Sequence, residues 1–249
     1  MKKSISRGFE EKSIPGSSGY LRLENISKSY FDGQKQRVVL KETCFQFTKG
    51  EFAAILGKSG SGKTTLLNLI SGIDRSDSGS VFLDGINLSI LPENARTLIR
   101  REKIGFIFQF FNLIPTLSIW ENVTLPLELN NRLDEVGRQK ADELLFAVSL
   151  HDRKNGYPDQ LSGGEQQRVS IARALVHDPA IVLADEPTGN LDEETGLDVL
   201  KLLNSLVRNN GKNLILVTHS PTSASFADRI LVLKDGQLSE DQQKNQFDL

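Results

Sequence analysis

Residues 52–65 read FAAILGKSGSGKTT, a short apolar run followed without a break by a glycine-rich loop. Phe52 to Leu56 has the length and content of a buried strand, and Lys63 to Ile70 has helical patterning. Between them Gly57, Gly62, Lys63 and Thr64 fill the pattern GxxxxGK[ST]. Glycines let such a loop fold into a concavity whose N–H groups point inward, and the helix that follows adds its positive end. Gly57, Lys58, Ser59, Gly60, Ser61, Gly62, Lys63, Thr64 and Thr65 are therefore the predicted cradle of a triphosphate. Lys63 would reach the terminal phosphates and Thr64 would ligate Mg2+. Strand, loop and helix in this order predict an α/β chain with a P-loop NTPase core.

The rest of the chain agrees with that class. Ile104 to Phe108, Ala180 to Ala184, Leu214 to Val217 and Ile230 to Leu233 are continuous apolar runs, the pattern of parallel strands buried on both faces. Helical spacing at Arg138 to Val148, Gln166 to Leu175 and Glu194 to Val207 places helices between them. Short β-type runs at Leu21 to Ile26, Arg37 to Leu40, Phe45 to Thr48, Phe52 to Leu56 and Val81 to Leu83 predict an antiparallel β layer toward the front. Residues 89–162 hold one clear strand near their start and are otherwise helical or irregular, which reads as a helical subdomain inserted into the core. One domain over residues 21–238 is expected, between a Ser-, Lys- and Gly-rich tail at 1–20 and a polar tail at 239–249.

Composition sets the outer bounds. The 249 residues are 38% hydrophobic, and 30 Lys and Arg against 32 Asp and Glu give a net charge of −2. No basic excess exists to neutralise a phosphate backbone, so a nucleic-acid partner is not expected. The longest unbroken apolar runs are five residues, far short of the ~20 that cross a bilayer. Lysines open the chain with no apolar stretch behind them, unlike a secretory signal. The single Cys44 suits a reducing compartment and reads as a small buried hydrophobe. His151 and His177 match no functional pattern and are expected at the surface.

Directly after Ile181-Val182-Leu183-Ala184 come Asp185 and Glu186, at the strand edge where α/β sheets bind ligands. Asp185 fits a Mg2+ partner beside Thr64, and Glu186 could orient and deprotonate an attacking water. No Asn-Lys-x-Asp string occurs, which argues against a small GTPase.

Residues 161–168 read LSGGEQQR. With the glycine-rich loop and the carboxylate pair, this string resembles the nucleotide-binding subunit of ABC transporters. Ser162, Gly163 and Gly164 open a helix, so a hydroxyl and free N–H groups form an anion-binding end continued by Glu165. The resemblance implies that this end closes on the γ-phosphate held by another protomer, giving a head-to-tail dimer with two ATP molecules between subunits. It further implies that Gln109 contacts Mg2+ and water at a hinge, that Asp192 in Gly189-Asn190-Leu191-Asp192 crosses between protomers, and that His219 touches the γ-phosphate. Tyr30 matches the residue that stacks on adenine. Lys63, Glu186 and His219 form the implied catalytic set.

Two longer strings, GEFAAILGKSGSGKTTLLNLISGID at 50–74 and FNLIPTLSIWENVTLPLEL at 111–129, are most similar to the ATPases of the lipoprotein-releasing and macrolide-exporting group. There the membrane subunit is a separate chain that transmits force across the bilayer. The apolar loop Phe110 to Pro115 would receive a helix from such a permease subunit. The resemblance thus implies an ATP-hydrolysing subunit held peripherally at the cytoplasmic face of the inner membrane. Two other readings stay open on these residues: a soluble ABC ATPase acting on ribosomes or DNA, and an ATP-dependent regulatory scaffold of a membrane complex.

Overall fold

The computed structural model describes residues 20–33 and 35–241, so the expected tails lie almost wholly outside the described residues. In chain order the elements begin with β1 (Leu21–Asp32), β2 (Lys35–Phe47), β3 (Phe52–Leu56), α1 (Lys63–Ile70), β4 (Ser78–Leu83) and β5 (Ile86–Asn87). There follow α2 (Glu93–Lys103), β6 (Ile104–Ile107), α3 (Ile119–Leu129), α4 (Glu135–Ala147) and α5 (Gly163–Leu175). The last elements are β7 (Ile181–Asp185), α6 (Glu193–Asn209), β8 (Asn213–Thr218), α7 (Pro221–Ala224), β9 (Arg229–Lys234) and β10 (Gln237–Glu240).

Two sheets result. The smaller is antiparallel with order β2-β1-β4-β5, and the larger has order β10-β9-β3-β8-β7-β6. In the larger sheet β9, β3, β8, β7 and β6 run parallel, and β10 alone is antiparallel to its neighbour. Central strands alternate between two cores: Phe52, Ala54, Val182, Ala184, Leu214 and Leu216 pack with residues of α3 to α6, while Ala53, Ile55, Leu183, Ile215 and Val217 pack with α1 and the small sheet. Burial on both faces explains why these strands read as unbroken apolar runs.

Several expectations change. Phe52 to Leu56 does not join the antiparallel layer; it lies inside the parallel sheet between β9 and β8. A five-residue run buried on both sides has no alternation to show which sheet it belongs to. Arg37 to Leu40 and Phe45 to Thr48 are parts of one irregular strand, β2, whose register against β1 shifts at three places. The strand expected near the start of 89–162, β6, pairs with β7 in the main sheet. Cys44 is exposed, not buried; its Sγ accepts from the Asn25 N–H and sits 3.1 Å from Asn25 Oδ1. Among the described residues no helix is long and apolar enough to cross a membrane.

The junction of β6 with α5 is tight. A Cβ added at Gly105 would lie 2.2 Å from the Ala174 carbonyl oxygen and 3.2 Å from Pro179 Cγ. Backbone cannot yield as a side-chain tip can, so Gly105→Ala is expected to cost about 1–3 kcal/mol. A urea titration should show a lower midpoint with unchanged slope.

His177 closes the same junction. It is buried, 3% exposed, with Nε2 3.2 Å from the Ile104 carbonyl oxygen, which overturns the surface expectation. Burial pushes its pKa down from 6.5 to about 4. The unfolded chain therefore binds a proton that the folded chain refuses, and stability is lost as pH falls from about 6.5 through about 4. The loss attributable to His177 is about 3 kcal/mol. Wild type should lose that much more than His177→Asn between pH 7 and pH 4, measured by urea unfolding.

Candidate active site

The carboxyl ends of β3, β8 and β7 lie side by side, with Leu56 opposite Thr218 and Asp185 opposite Val217. Each strand delivers its next residues to one place. After β3 the chain turns through Gly60 and Gly62, whose φ angles of 73° and 103° suit glycine alone. A Cβ at Gly62 would sit 2.5 Å from Val39 Cγ1, so the loop is also pressed against β2. Gly62 caps α1, and Lys63 is its first residue.

Lys63 is buried and folded back over its own loop: Nζ donates to the Gly57 carbonyl at 2.8 Å and lies 3.6 Å from Glu186 Oε1. The Thr64 hydroxyl donates to Asp185 Oδ2 at 2.8 Å. His219, directly after β8, places Nδ1 2.5 Å from Glu186 Oε2. Glu186 has a φ of 47°, which turns the chain away from β7 and brings its carboxylate between Lys63 and His219. Burial pushes the Asp185 carboxyl above its usual range; the Thr64 hydrogen bond opposes the shift, Glu186 adds to it and Lys63 opposes it.

Beside them lies a cavity of about 440 Å3, whose lining includes neither His219 nor Gly57, Lys58 and Ser61. Lys63, Thr64, Thr65, Ser59, Gly60, Gly62, Asp185, Glu186, Gln109 and Tyr30 all line it. Tyr30 is 41% exposed, its hydroxyl donates to Asp74 Oδ2 at 2.7 Å, and Lys28 Nζ lies 5.0 Å from its ring centre. Gln109 is tied through its carbonyl oxygen to Asn190 Nδ2 at 2.8 Å. No motif marks Arg37, yet it lines the cavity and donates to the Gly60 carbonyl at 2.7 Å. Phe31 and Val39 are further lining residues without a sequence signal.

Among the described residues no group of three or more His, Cys, Asp or Glu is placed to hold a metal. The oxygens available are the Thr64 hydroxyl, the Asp185 carboxylate and the Gln109 amide. That set fits Mg2+, which takes one or two carboxylates and completes its shell with water and phosphate.

Ser162, Gly163, Gly164, Glu165 and Asp192 do not line the cavity. Ser162 instead caps α5 in a reciprocal pair: its Oγ accepts from the Glu165 N–H and the Glu165 carboxylate accepts from the Ser162 N–H. Asp192 caps α6 by accepting from the Thr195 N–H at 3.0 Å. The N-terminus of α5 that Ser162 caps is thus not part of this cavity's lining.

Residues 40–189 match the sequence family described as ABC transporter. The chain belongs to that family. As an ABC ATPase it is the ATP-binding, ATP-hydrolysing subunit of a transporter. It is 51% identical over 218 residues to an uncharacterised ABC transporter ATP-binding protein of Mycobacterium tuberculosis, covering 88% of each chain. It is 44% identical over 218 residues to the lipoprotein-releasing system ATP-binding protein LolD of Hyphomonas neptunium, covering 88% of this chain and 96% of the relative. Among solved structures it resembles the dimeric ATP-binding cassette MJ0796 bound to ADP and Pi, with a TM-score of 0.81 and 44% identity over 89% of this chain and 97% of that one.

The raised pKa of Asp185 makes a stability prediction for this ABC ATPase. The folded state resists the ionised carboxylate, so the nucleotide-free protein is destabilised once pH rises through the folded pKa, and protonation at low pH removes the cost. Asp185→Asn should therefore melt higher than wild type at pH 7 without nucleotide. Differential scanning calorimetry should show the gap closing as pH falls into the ordinary carboxylate range.

Proposed function

We propose that each ATP is bound by the cavity of one protomer and closed by the Ser162 helix end of a second copy in a head-to-tail pair. The observation that carries this reading is the division of the parts: Lys63, Thr64, Asp185 and Glu186 surround one cavity, while Ser162 caps a helix outside it. A single chain supplies both halves of a phosphate grip but does not bring them together.

The loop from Gly57 to Thr65 wraps the phosphates, and Tyr30 stacks its exposed ring on adenine. Lys63 leaves its loop carbonyls for the β- and γ-phosphate oxygens, a charge-assisted contact stronger than the one it gives up. Thr64, Asp185 and Gln109 would hold Mg2+, which supplies positive charge at the phosphate oxygens when bound. Glu186 accepts the proton of the attacking water and aims its oxygen in line with the departing ADP; His219, hydrogen-bonded to Glu186, fixes that carboxylate and faces the γ-phosphate. Asp192 reaches toward the partner's site. Cleavage removes the shared γ-phosphate charge, so binding closes the pair and hydrolysis opens it.

Work is delivered to separate permease subunits at the cytoplasmic face of the membrane, in the manner of the lipoprotein-releasing and macrolide-exporting group. The docking surface is the segment after Gln109, where Phe110 is 72% and Ile114 37% exposed while Phe111 and Leu113 turn partly inward.

Glu186→Gln tests the catalytic assignment. Turnover should fall about a hundred- to ten-thousand-fold, ATP affinity should persist, and the variant should run as a dimer on gel filtration with ATP and Mg2+. Wild-type turnover would remove Glu186 from its role. Single cysteines at Phe110 and Ile114 should crosslink to co-expressed membrane subunits; absence of crosslinks in every nucleotide state would remove the docking surface.

A further inference from the structure

Immediately after Gln109 the chain enters an unfavourable backbone. Phe111 and Asn112 have φ angles of 49° and 50°, a left-handed region that asparagine tolerates but a bulky aromatic residue such as Phe111 avoids. The Asn112 N–H donates to the Phe110 carbonyl, closing a three-residue turn over Phe111. Asn112 suits its place in this turn, but Phe111 does not. Strain of this kind persists only where surrounding structure enforces it.

Arg173, in the third turn of α5, provides that enforcement. Its Nη2 donates to the Phe111 carbonyl at 2.7 Å and its Nη1 to the Asn112 carbonyl at 2.6 Å. A planar guanidinium can address two adjacent carbonyls at once, which an ammonium cannot. Burial pushes the Arg173 pKa down to about 10, so the side chain stays charged at neutral pH in a desolvated place. Charge-assisted donation to these two carbonyls is its compensation. The Phe111 ring also lies close to the start of the same helix, since a Cβ added at Gly163 would come within 3.6 Å of Phe111 Cζ. At its other end the segment is tied to the loop after β7, through Asn190 Nδ2 and the Gln109 carbonyl.

We propose that Arg173 is a positioning residue that clamps the 110–112 turn onto α5, so that Gln109, the apolar docking segment and the Ser162 helix end move as one body. This rests on the reading of Gln109 and Ser162 given under the proposed function. A displacement at the nucleotide then reaches Ser162 and the docked membrane subunit without slack. Loss of the fork lets the turn relax toward right-handed geometry, and the two ends become independent.

The test is amide hydrogen exchange of the full-length protein over residues 110–114, read together with ATP turnover. Arg173→Lys keeps the charge but not the fork; it should raise exchange in this segment at least tenfold and lower kcat several-fold with KM for ATP unchanged. Adding Asn112→Gly, which removes part of the backbone cost at an exposed position, should restore at least half of both losses on a logarithmic scale. Asn112→Val leaves Arg173 intact and opposes the same φ with a β-branched side chain; it should reproduce the Arg173→Lys effect. Unchanged exchange in Arg173→Lys and Asn112→Val overturns the clamp, as does strict additivity of Arg173→Lys with Asn112→Gly. Faster exchange with wild-type turnover overturns transmission through Gln109, and leaves the role of Glu186 to its own test.

Discussion

Charge at the carboxyl edge of the parallel sheet governs the rest of the molecule. There a buried lysine, an aspartate and a glutamate are held within a few ångströms of one another. Lys63 Nζ is 3.6 Å from Glu186 and bonded to its own loop carbonyl, and Asp185 is bonded to Thr64. Such a cluster exists only because β3, β8 and β7 are neighbours in register, so that three segments distant in sequence emerge at one edge. The raised pKa of Asp185 records the cost of the arrangement. The site is preorganised for a ligand that brings its own negative charge and the cation that travels with it.

The same physical chemistry operates at the Ser162 helix end, but there it is directed outward. A capping box holds Ser162 and Glu165 in a fixed relation at a helix end that does not line the cavity. Joining the two grips through one triphosphate gives an interface whose strength depends on nucleotide state, a two-state element biased by a single phosphoryl group. The clamp at Arg173 extends that logic into the subunit, because it makes the helix end and the segment after Gln109 parts of one rigid piece.

Features whose chemistry is local were legible in the sequence. The glycine-rich loop, the carboxylates after β7 and the α5 cap are contiguous strings in which residue type and spacing state the geometry. Features set by distant partners were not. The run Phe52 to Leu56 carried no sign that it would lie between β9 and β8, because a strand buried on both faces has no alternation. Helix α2 has only Ala95, Leu98 and Ile99 as apolar residues among its charges, and α3 contains Pro126, so neither stood out as a helix in the sequence. His177 and Cys44 exchanged their expected burial, since an isolated residue's exposure depends on what packs over it. Arg37, which reaches Gly60, and Arg173, which reaches Phe111 across 62 positions, belong to no short motif.

The central claim is that nucleotide joins two copies and that its cleavage parts them. Specific ATP turnover, measured over a wide series of dilutions at saturating ATP and Mg2+, tests this most directly. The account predicts turnover per molecule that falls in proportion to protein concentration once the pair dissociates. Turnover per molecule that stays constant down to the lowest measurable concentration, with the protein running as a monomer there, would contradict it.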